Sequence, residues 1–416
     1  MNIKNICAAI TVMAVLLASC GNSTAQPAQT SDAMAPTKAV EEDKATSEDA
    51  GTDDGVNVAQ GTSQIYVKNE TDGTDDGFQT LLGMMEENGE SFYKTADSPT
   101  GMIENSDVVI LFYNGQWDER GGTNTDLINA VVEAIASHPD EFNGEIIIAD
   151  SGQGDGSLDH AKANSANRDQ SILDVINKQK DLGVRVTGYL WDDIMDIEVE
   201  EFDQGDDEDG YIVEPGVSET TKLTISYPKF TTEYGTKISV KKGVWDGSGY
   251  DSDVVKLINM PVLKAHWLYR GTACVKNYMG MPSQNLSSKA GGDPHNSVGL
   301  GSMGQMMAES RMPVLNILDM IHIGAINGPW LTYDEATDYF AIAASTDPFA
   351  LDYWAVKNVL KPEAERVGHS NWEDMDPDSD VPGTFGRWMN LSLEEIKKAG
   401  YTDFIFGSED VVVHEQ

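Results

Sequence analysis

Asp107-Val108-Val109-Ile110-Leu111-Phe112 and, some thirty residues later, Ile146-Ile147-Ile148-Ala149 are the stretches that decide the fold. A strand with one face in water alternates apolar and polar residues. These two runs do not alternate, so both faces are covered, as in a parallel sheet. Between them Leu127, Ile128, Val131, Val132 and Ile135 recur at helical spacing, with Thr125 placed as the cap and Ser137-His138-Pro139 as the stop. A second helix is predicted over about 170–180, with Ile172, Leu173 and Ile176 inward, before a strand over 184–187. This is βαβαβ, which implies parallel strands joined by crossover helices. Ligands of such sheets lie at the carboxyl ends of the strands. Here those ends carry Asn114 after the first strand and Asp150-Ser151-Gly152-Gln153-Gly154 after the second. Gly152-x-Gly154-x-Gly156 lacks dinucleotide spacing, and Asp150, Asp155 and Asp159 would repel a pyrophosphate, so the glycines read as a flexible turn.

Further along, residues 192–250 break the rhythm. Stretches 223–227 and 237–240 look like an antiparallel pair, which predicts a β-rich insertion. The acidic loop Asp203-Gln204-Gly205-Asp206-Asp207-Glu208-Asp209-Gly210 lacks the ligand spacing and closing glutamate of a calcium loop and reads as solvated. The αβ rhythm resumes with one strand formed by 254–260 and 262–263, a second over 314–318, a third over 339–343, and a helix from Pro348 to Leu360. Ser392-x-x-Glu395 has the form of a capping box opening a last short helix that ends near Gly400. The fold class expected is therefore α/β: a mostly parallel sheet flanked by helices, with a β-rich insertion and a disordered N-terminal tether.

The N-terminal stretch reads differently. Lys4 is followed by a nearly unbroken apolar stretch to Ala18 and then Leu17-Ala18-Ser19-Cys20-Gly21. A cationic start and an apolar run too short to span a bilayer comfortably form a secretory signal. The small residues before Cys20 resemble the bacterial lipobox, which implies a lipid on the Cys20 sulfur and cleavage in front of it; the alternative is an ordinary signal with an incidental cysteine. Residues 1–19 are then signal peptide and residues 20–62 a lipidated, acidic Ser/Thr/Ala linker. That linker is too poor in large apolar residues to offset its ordering entropy. Residues 63–416 form the domain, held extracytoplasmically at the bacterial membrane by the lipid.

The chain carries 28 Lys and Arg against 69 Asp and Glu, a net charge of −41. Such a polyanion gains nothing by counterion release on a phosphate backbone, so no nucleic acid is expected as a partner. Of three cysteines, Cys7 leaves with the signal and Cys20 is lipidated, which leaves Cys274 as a buried small hydrophobe or a lone nucleophile.

Four stretches together resemble the DUF362 family: Gln116-Trp117-Asp118-Glu119-Arg120-Gly121-Gly122-Thr123-Asn124; Ile258-Asn259-Met260-Pro261-Val262-Leu263-Lys264-Ala265-His266 with Val275-Lys276-Asn277-Tyr278-Met279-Gly280; Ile317-Leu318-Asp319 with Gly328-Pro329; and Ala344-Ser345-Thr346-Asp347-Pro348-Phe349-Ala350-Leu351-Asp352. The resemblance implies a bacterial or archaeal domain whose biochemical role is unsettled. Some relatives carry cysteine-rich ferredoxin segments; this chain has none, so no iron–sulfur cluster is expected.

Within the second stretch, Lys264, His266, Arg270 and Lys276 fall inside thirteen residues of a chain poor in cations. On a strand, Lys264 and His266 share a face. Two cations beside an imidazole suit a small carboxylate or phosphate, with Lys264, Lys276, Asn277, Asn114, Asp150 and Asp347 as ligand-binding candidates and His266 and Asp352 as catalytic ones. The bland reading pairs the lysines with structural acids. Asp347-Pro348 is equally an ideal helix start. Asp319 with His322, and His295 in its glycine-rich loop, are weaker candidates. The metal is unknown. Three functions stay open: a small-anion cleft with proton-transfer or redox chemistry, a non-catalytic solute-binding lipoprotein, and a surface interaction module.

Overall fold

The computed structural model describes residues 62–326 and 328–416. Cys20, the signal stretch and nearly all of the linker lie outside the described residues. No helix among the described residues is long and apolar enough to cross a membrane.

The strands are β1 (Ser63–Asn69), β2 (Val108–Tyr113), β3 (Glu145–Asp150), β4 (Val186–Leu190), β5 (Gly210–Val213), β6 (Ser226–Thr231), β7 (Lys237–Ser239), β8 (Gly243–Trp245), β9 (Tyr250–Asp251), β10 (Val255–Met260), β11 (Val262–His266), β12 (Arg270–Thr272), β13 (Leu315–Gly324), β14 (Thr337–Ser345) and β15 (Val411–Glu415). The helices are α1 (Gly77–Glu87), α2 (Thr125–Ala136), α3 (Ile172–Asp181), α4 (Cys274–Asn277), α5 (Gln284–Ser287), α6 (Ser302–Glu309), α7 (Pro348–Ala355), α8 (Lys361–Val367) and α9 (Phe385–Lys398).

The central sheet runs β15-β1-β14-β13-β10-β2-β3-β4, with β11 and β12 attached through β13. Strands β13, β10, β2, β3 and β4 are mutually parallel, and β14 is antiparallel to both of its neighbours. The apolar runs of β2 and β3 are covered on both faces as expected. Val109, Leu111, Ile146 and Ile148 face a core shared with α1, α2 and α3, whereas Ile110, Phe112 and Ile147 face a core with Trp191, α4, α6, α7 and α9. The insertion is a separate antiparallel sheet ordered β5-β6-β7-β8-β9. Its acidic loop is tied down rather than free: the Asp209 carboxylate accepts from the Tyr189 hydroxyl and the Thr231 N–H, and the Lys229 ammonium donates to the carbonyls of Glu200 and Asp206.

Two features of this topology place the site. The chain leaves β2 toward β3 and β4, then returns to pair β10 on the other edge of β2, so the strand order reverses between β10 and β2. A crevice opens at the carboxyl ends of such a pair. In addition, Pro261 interrupts β10, having no N–H to give to a ladder. The chain resumes as β11, which slides along the same partner: β10 pairs with Leu315 and Asn316 of β13, and β11 with Asp319 and Gly324. The jog carries Lys264 and His266 past the end of β2.

Several helix boundaries correct the sequence reading. Asn124, in extended backbone one residue before Thr125, caps α2 by accepting from the Leu127 N–H at 3.0 Å, while the Thr125 hydroxyl donates to Gln170 O. The helix opened by Asp347-Pro348 does not stop at Leu360. It passes through one π turn at Val356–Leu360 and continues as α8, because the wide turn accommodates the missing N–H of Pro362. Ser392 opens no helix: it is buried in the middle of α9, and its hydroxyl returns to Trp388 O four residues back. Phe385, Trp388, Met389, Leu393 and Ile396 form the buried stripe that overrides the Ser-x-x-Glu signal.

Candidate functional site

At the carboxyl ends of β2, β3 and β11 lies a cavity of about 360 Å3. That is within the range of small-molecule sites, roughly 300–1,000 Å3. Lys264 and His266 come from β11, Thr272 from β12, Lys276 and Asn277 from α4, Asn114 from the end of β2, and Asp150 and Ser151 from the end of β3. Trp117, Trp267, Trp330, Gln116, Gln153, Gln284 and His295 complete most of the wall. Tertiary structure thus brings together Asn114, Asp150, Lys264, His266, Lys276 and Asn277, which are up to 163 residues apart in the chain.

Lys264 is buried without a carboxylate in ion-pair range among the described residues; its ammonium donates to Asn114 Oδ1 at 3.2 Å and to Gly121 O. A relay of carboxamides orients that acceptor. Asn114 Nδ2 donates to Asn277 Oδ1 at 3.3 Å, Asn277 Nδ2 to Asn259 Oδ1 at 2.9 Å, Asn259 Nδ2 to Asn316 Oδ1 at 2.9 Å, and Asn316 Nδ2 to Ser345 O at 3.1 Å. Every bond runs the same way, so each amide polarises the next and Asn114 can turn only its oxygen toward Lys264. Asn259 and Asn316 went unremarked in the sequence reading; their signal is an asparagine in the middle of an apolar buried strand.

Lys276 is different. It is 5% exposed, it lines the cavity, and no described residue accepts a hydrogen bond from its amine. Burial pulls Lys276 down to about 7, and burial together with the Lys276 charge pulls Lys264 down to about 7. Around this pair sit further donors without acceptors: Trp117 Nε1 and Thr272 Oγ1 are buried and unpartnered. Thr272 is held opposite Lys264 by the β11–β12 ladder.

His266 is a donor too. Its Nδ1 accepts from the N–H groups of Leu268 and Tyr269 at 3.1 and 3.2 Å, which fixes the proton on Nε2. Burial, then the Lys276 charge, push its pKa far below the usual imidazole range, and the same causes bring His295, whose ring lies 5.4 Å from that of His266, down to about 4. Both rings are neutral at pH 7. The expected acid/base role of His266 gives way to that of a neutral hydrogen-bond donor, because its second nitrogen is already occupied by backbone.

Asp150 closes the floor. Its Oδ2 accepts from the Gly115 N–H at 2.8 Å, and burial raises its carboxyl well above the ordinary carboxylate range. Gly280 is required here, since a Cβ at that position would stand 2.5 Å from Asp150 Oδ1. The glycine loop that follows is a turn, as expected: Asp192 accepts from Ser151 Oγ and from the Gly156 N–H, so a carboxylate occupies a donor that a phosphate would need.

Two candidates do not reach the cavity. Asp347 caps α7 through the N–H groups of Phe349 and Ala350 and also accepts from Ser63 Oγ and the Ile405 N–H. Asp352 is fully buried and accepts from the N–H groups of Cys274 and Val275 at 2.8 and 2.9 Å, which anchors the start of α4; burial raises it to about 7. It supports the helix that carries Lys276 and does not line the wall. Asp319 and His322 part company as well, the first bonded to the N–H groups of Asn124 and Ile321 and the second to Asp338. Cys274 is buried and its thiol raised by burial. No group of three or more His, Cys, Asp or Glu is gathered among the described residues as a metal site would require.

Neither the curated proteins nor the solved structures include a match to this chain. Residues 227–357, the stretch that supplies Lys264, His266, Lys276 and Asn277, match the family model described as a domain of unknown function (DUF362).

Proposed function

We propose that this protein captures a small anionic solute, a carboxylate or phosphate compound, in the cavity at the ends of β2, β3 and β11, and that it does so outside the cytoplasm on a lipid tether at Cys20. One observation carries the reading: the Lys276 amine is buried at the cavity wall with no acceptor among the described residues, whose other cations are mostly ion-paired or solvated. A buried cation without a partner costs several kcal/mol, so its position makes sense where an anion completes it. The unpartnered donors at Thr272 and Trp117 point the same way, as does the His266 Nε2–H left as donor once Nδ1 accepts from backbone, since an anion is an acceptor only. With His266 locked as a donor and Asp347 and Asp352 placed elsewhere, the geometry favours binding over imidazole-driven proton transfer.

The test is calorimetric titration of the purified protein with sodium sulfate and sodium acetate at pH 6.5 and low ionic strength. Saturable binding at one site per chain, lost on Lys264→Met and Lys276→Met substitution, is expected. No binding of either anion, or binding that both variants retain, would remove the cavity from consideration.

A further inference from the structure

The two cavity lysines are not equivalent, and their difference has a chemical use. Lys264 donates to two oxygens, Asn114 Oδ1 and Gly121 O, which stabilise its charged form. Lys276, in the same electrostatic field, has no acceptor among the described residues. When the pair holds one proton, hydrogen bonding therefore places it on Lys264 and leaves Lys276 as a free amine. A desolvated lysine beside a second cation is the arrangement that makes an amine nucleophilic at neutral pH. We propose that the cavity takes a small 2-oxo carboxylic acid, with Lys264 holding the carboxylate and Lys276 forming an imine with the adjacent carbonyl carbon.

The step balances without any further reagent. The Lys276 Nζ lone pair attacks the carbonyl carbon, a C–N bond forms, and the carbonyl oxygen becomes the hydroxyl of a carbinolamine after a proton moves from nitrogen to oxygen. Loss of that hydroxyl with a second proton from nitrogen releases one water and leaves the C=N bond. Nothing is oxidised or reduced. The surroundings suit each stage. The His266 Nε2–H, fixed as a donor by Leu268 and Tyr269, can hydrogen-bond the developing alkoxide. Asp150, whose carboxyl burial raises on the same wall, can pass a proton to the departing hydroxyl and recover it from the iminium. Trp117 and Trp330, in edge contact at 6.2 Å, line the same cavity and offer apolar surface to the substituent of the oxo acid.

This inference rests on the anion-binding reading of the same cavity, and the experiment separates the two. The full chain is incubated with pyruvate, reduced with sodium borohydride, and analysed by intact mass and peptide mapping. One reduced pyruvyl group per chain, mapped to Lys276, is expected. The modification should vanish in both Lys276→Arg and Lys276→Met variants and be suppressed by excess sulfate. At subsaturating pyruvate it should fall about tenfold or more in Lys264→Met, the loss of one charge-assisted contact. Sulfate binding without any pyruvyl adduct, or adducts spread equally over surface lysines and retained in the Lys276 variants, would overturn the imine and leave the anion site standing. Absence of sulfate binding as well would overturn both.

Discussion

Replacing Lys276 by methionine should make the protein more stable and less able to bind, and the size of both effects can be worked out from the site. Burial pulls the Lys276 amine down to about 7 in the folded chain from 10.5 in the open. At about 1.36 kcal/mol for each of some 3.5 units, the buried ammonium carries a penalty of at most about 5 kcal/mol at pH 7 and below. Methionine has nearly the same length and adapts to irregular space. Exchanges of buried charge for well-packed apolar side chains typically gain about 1–4 kcal/mol, and the unpartnered state of Lys276 places this one within that range. With an unfolding entropy of about 2.1 cal/mol/K per residue over some 350 residues, each kcal/mol is worth about 1.3 °C. A rise in Tm of about 1–5 °C is expected by calorimetry in the absence of added anions. Between pH 7 and 10.5 the unfolded chain binds the proton that the folded chain has released. Wild-type stability therefore gains from this group as pH rises through that window, and the advantage of the variant should be full below pH 7 and fade toward pH 10. Anion affinity, measured in parallel, should drop about ten- to a hundredfold, one charge-assisted hydrogen bond's worth. A variant that melts well below the parent would show that Lys276 has a structural partner, and one that binds sulfate like the parent would show that the amine does not face the ligand.

Three further outcomes are expected. Sulfate keeps its charge between pH 6 and 9 whereas Lys264 and Lys276 lose theirs through about 7, so its Kd should weaken at least tenfold over that range; a flat profile would mean that neither lysine contributes. Asp352→Ala strands the buried N–H groups of Cys274 and Val275, each held by its own carboxylate oxygen, and should cost about 2–5 kcal/mol in chemical denaturation; Asp352→Asn, which keeps one acceptor and sets an NH2 against the other N–H, should lose about half of that or more, and an Asp352→Ala chain as stable as the parent would refute the anchoring role. Cys20→Ala should move the protein from the membrane to the soluble fraction of its host, and unchanged fractionation would discard the lipid tether.

Much of the site was legible because its residues are rare for this chain. In a sequence of net −41, a lysine, a histidine and a lysine within thirteen residues stand out, and β-strand periodicity puts the first two on one face. The rule for parallel sheets then named Asn114 and Asp150 as the opposite wall without any contact information. What misled was local chemistry with two uses. Asp352 looks like a cleft acid because it follows Asp347 by five residues, yet its carboxyl is consumed by the α4 N–H groups; a helix cap and a catalytic acid have the same one-dimensional signature. Ser392-x-x-Glu395 likewise satisfies the capping pattern, and only the burial of Ser392 against Trp388 shows that the helix is already under way.

The sequence by itself determined the α/β class, the doubly covered strands β2 and β3, the insertion, and the identity of the cationic stretch. These follow from side-chain periodicity and from which residues tolerate burial, and both are local properties. Tertiary structure alone decided what the cations do. The jog at Pro261 that slides β11 along β13, the one-way asparagine relay from Ser345 to Lys264, the backbone donors that fix the proton of His266 on Nε2, and the absence of any described acceptor at Lys276 all depend on contacts between segments far apart in the chain. Solvation and neighbours in space set what a lysine does, so two lysines that look alike in the sequence become one amine held by two acceptors and one with no described acceptor only once the fold has surrounded them.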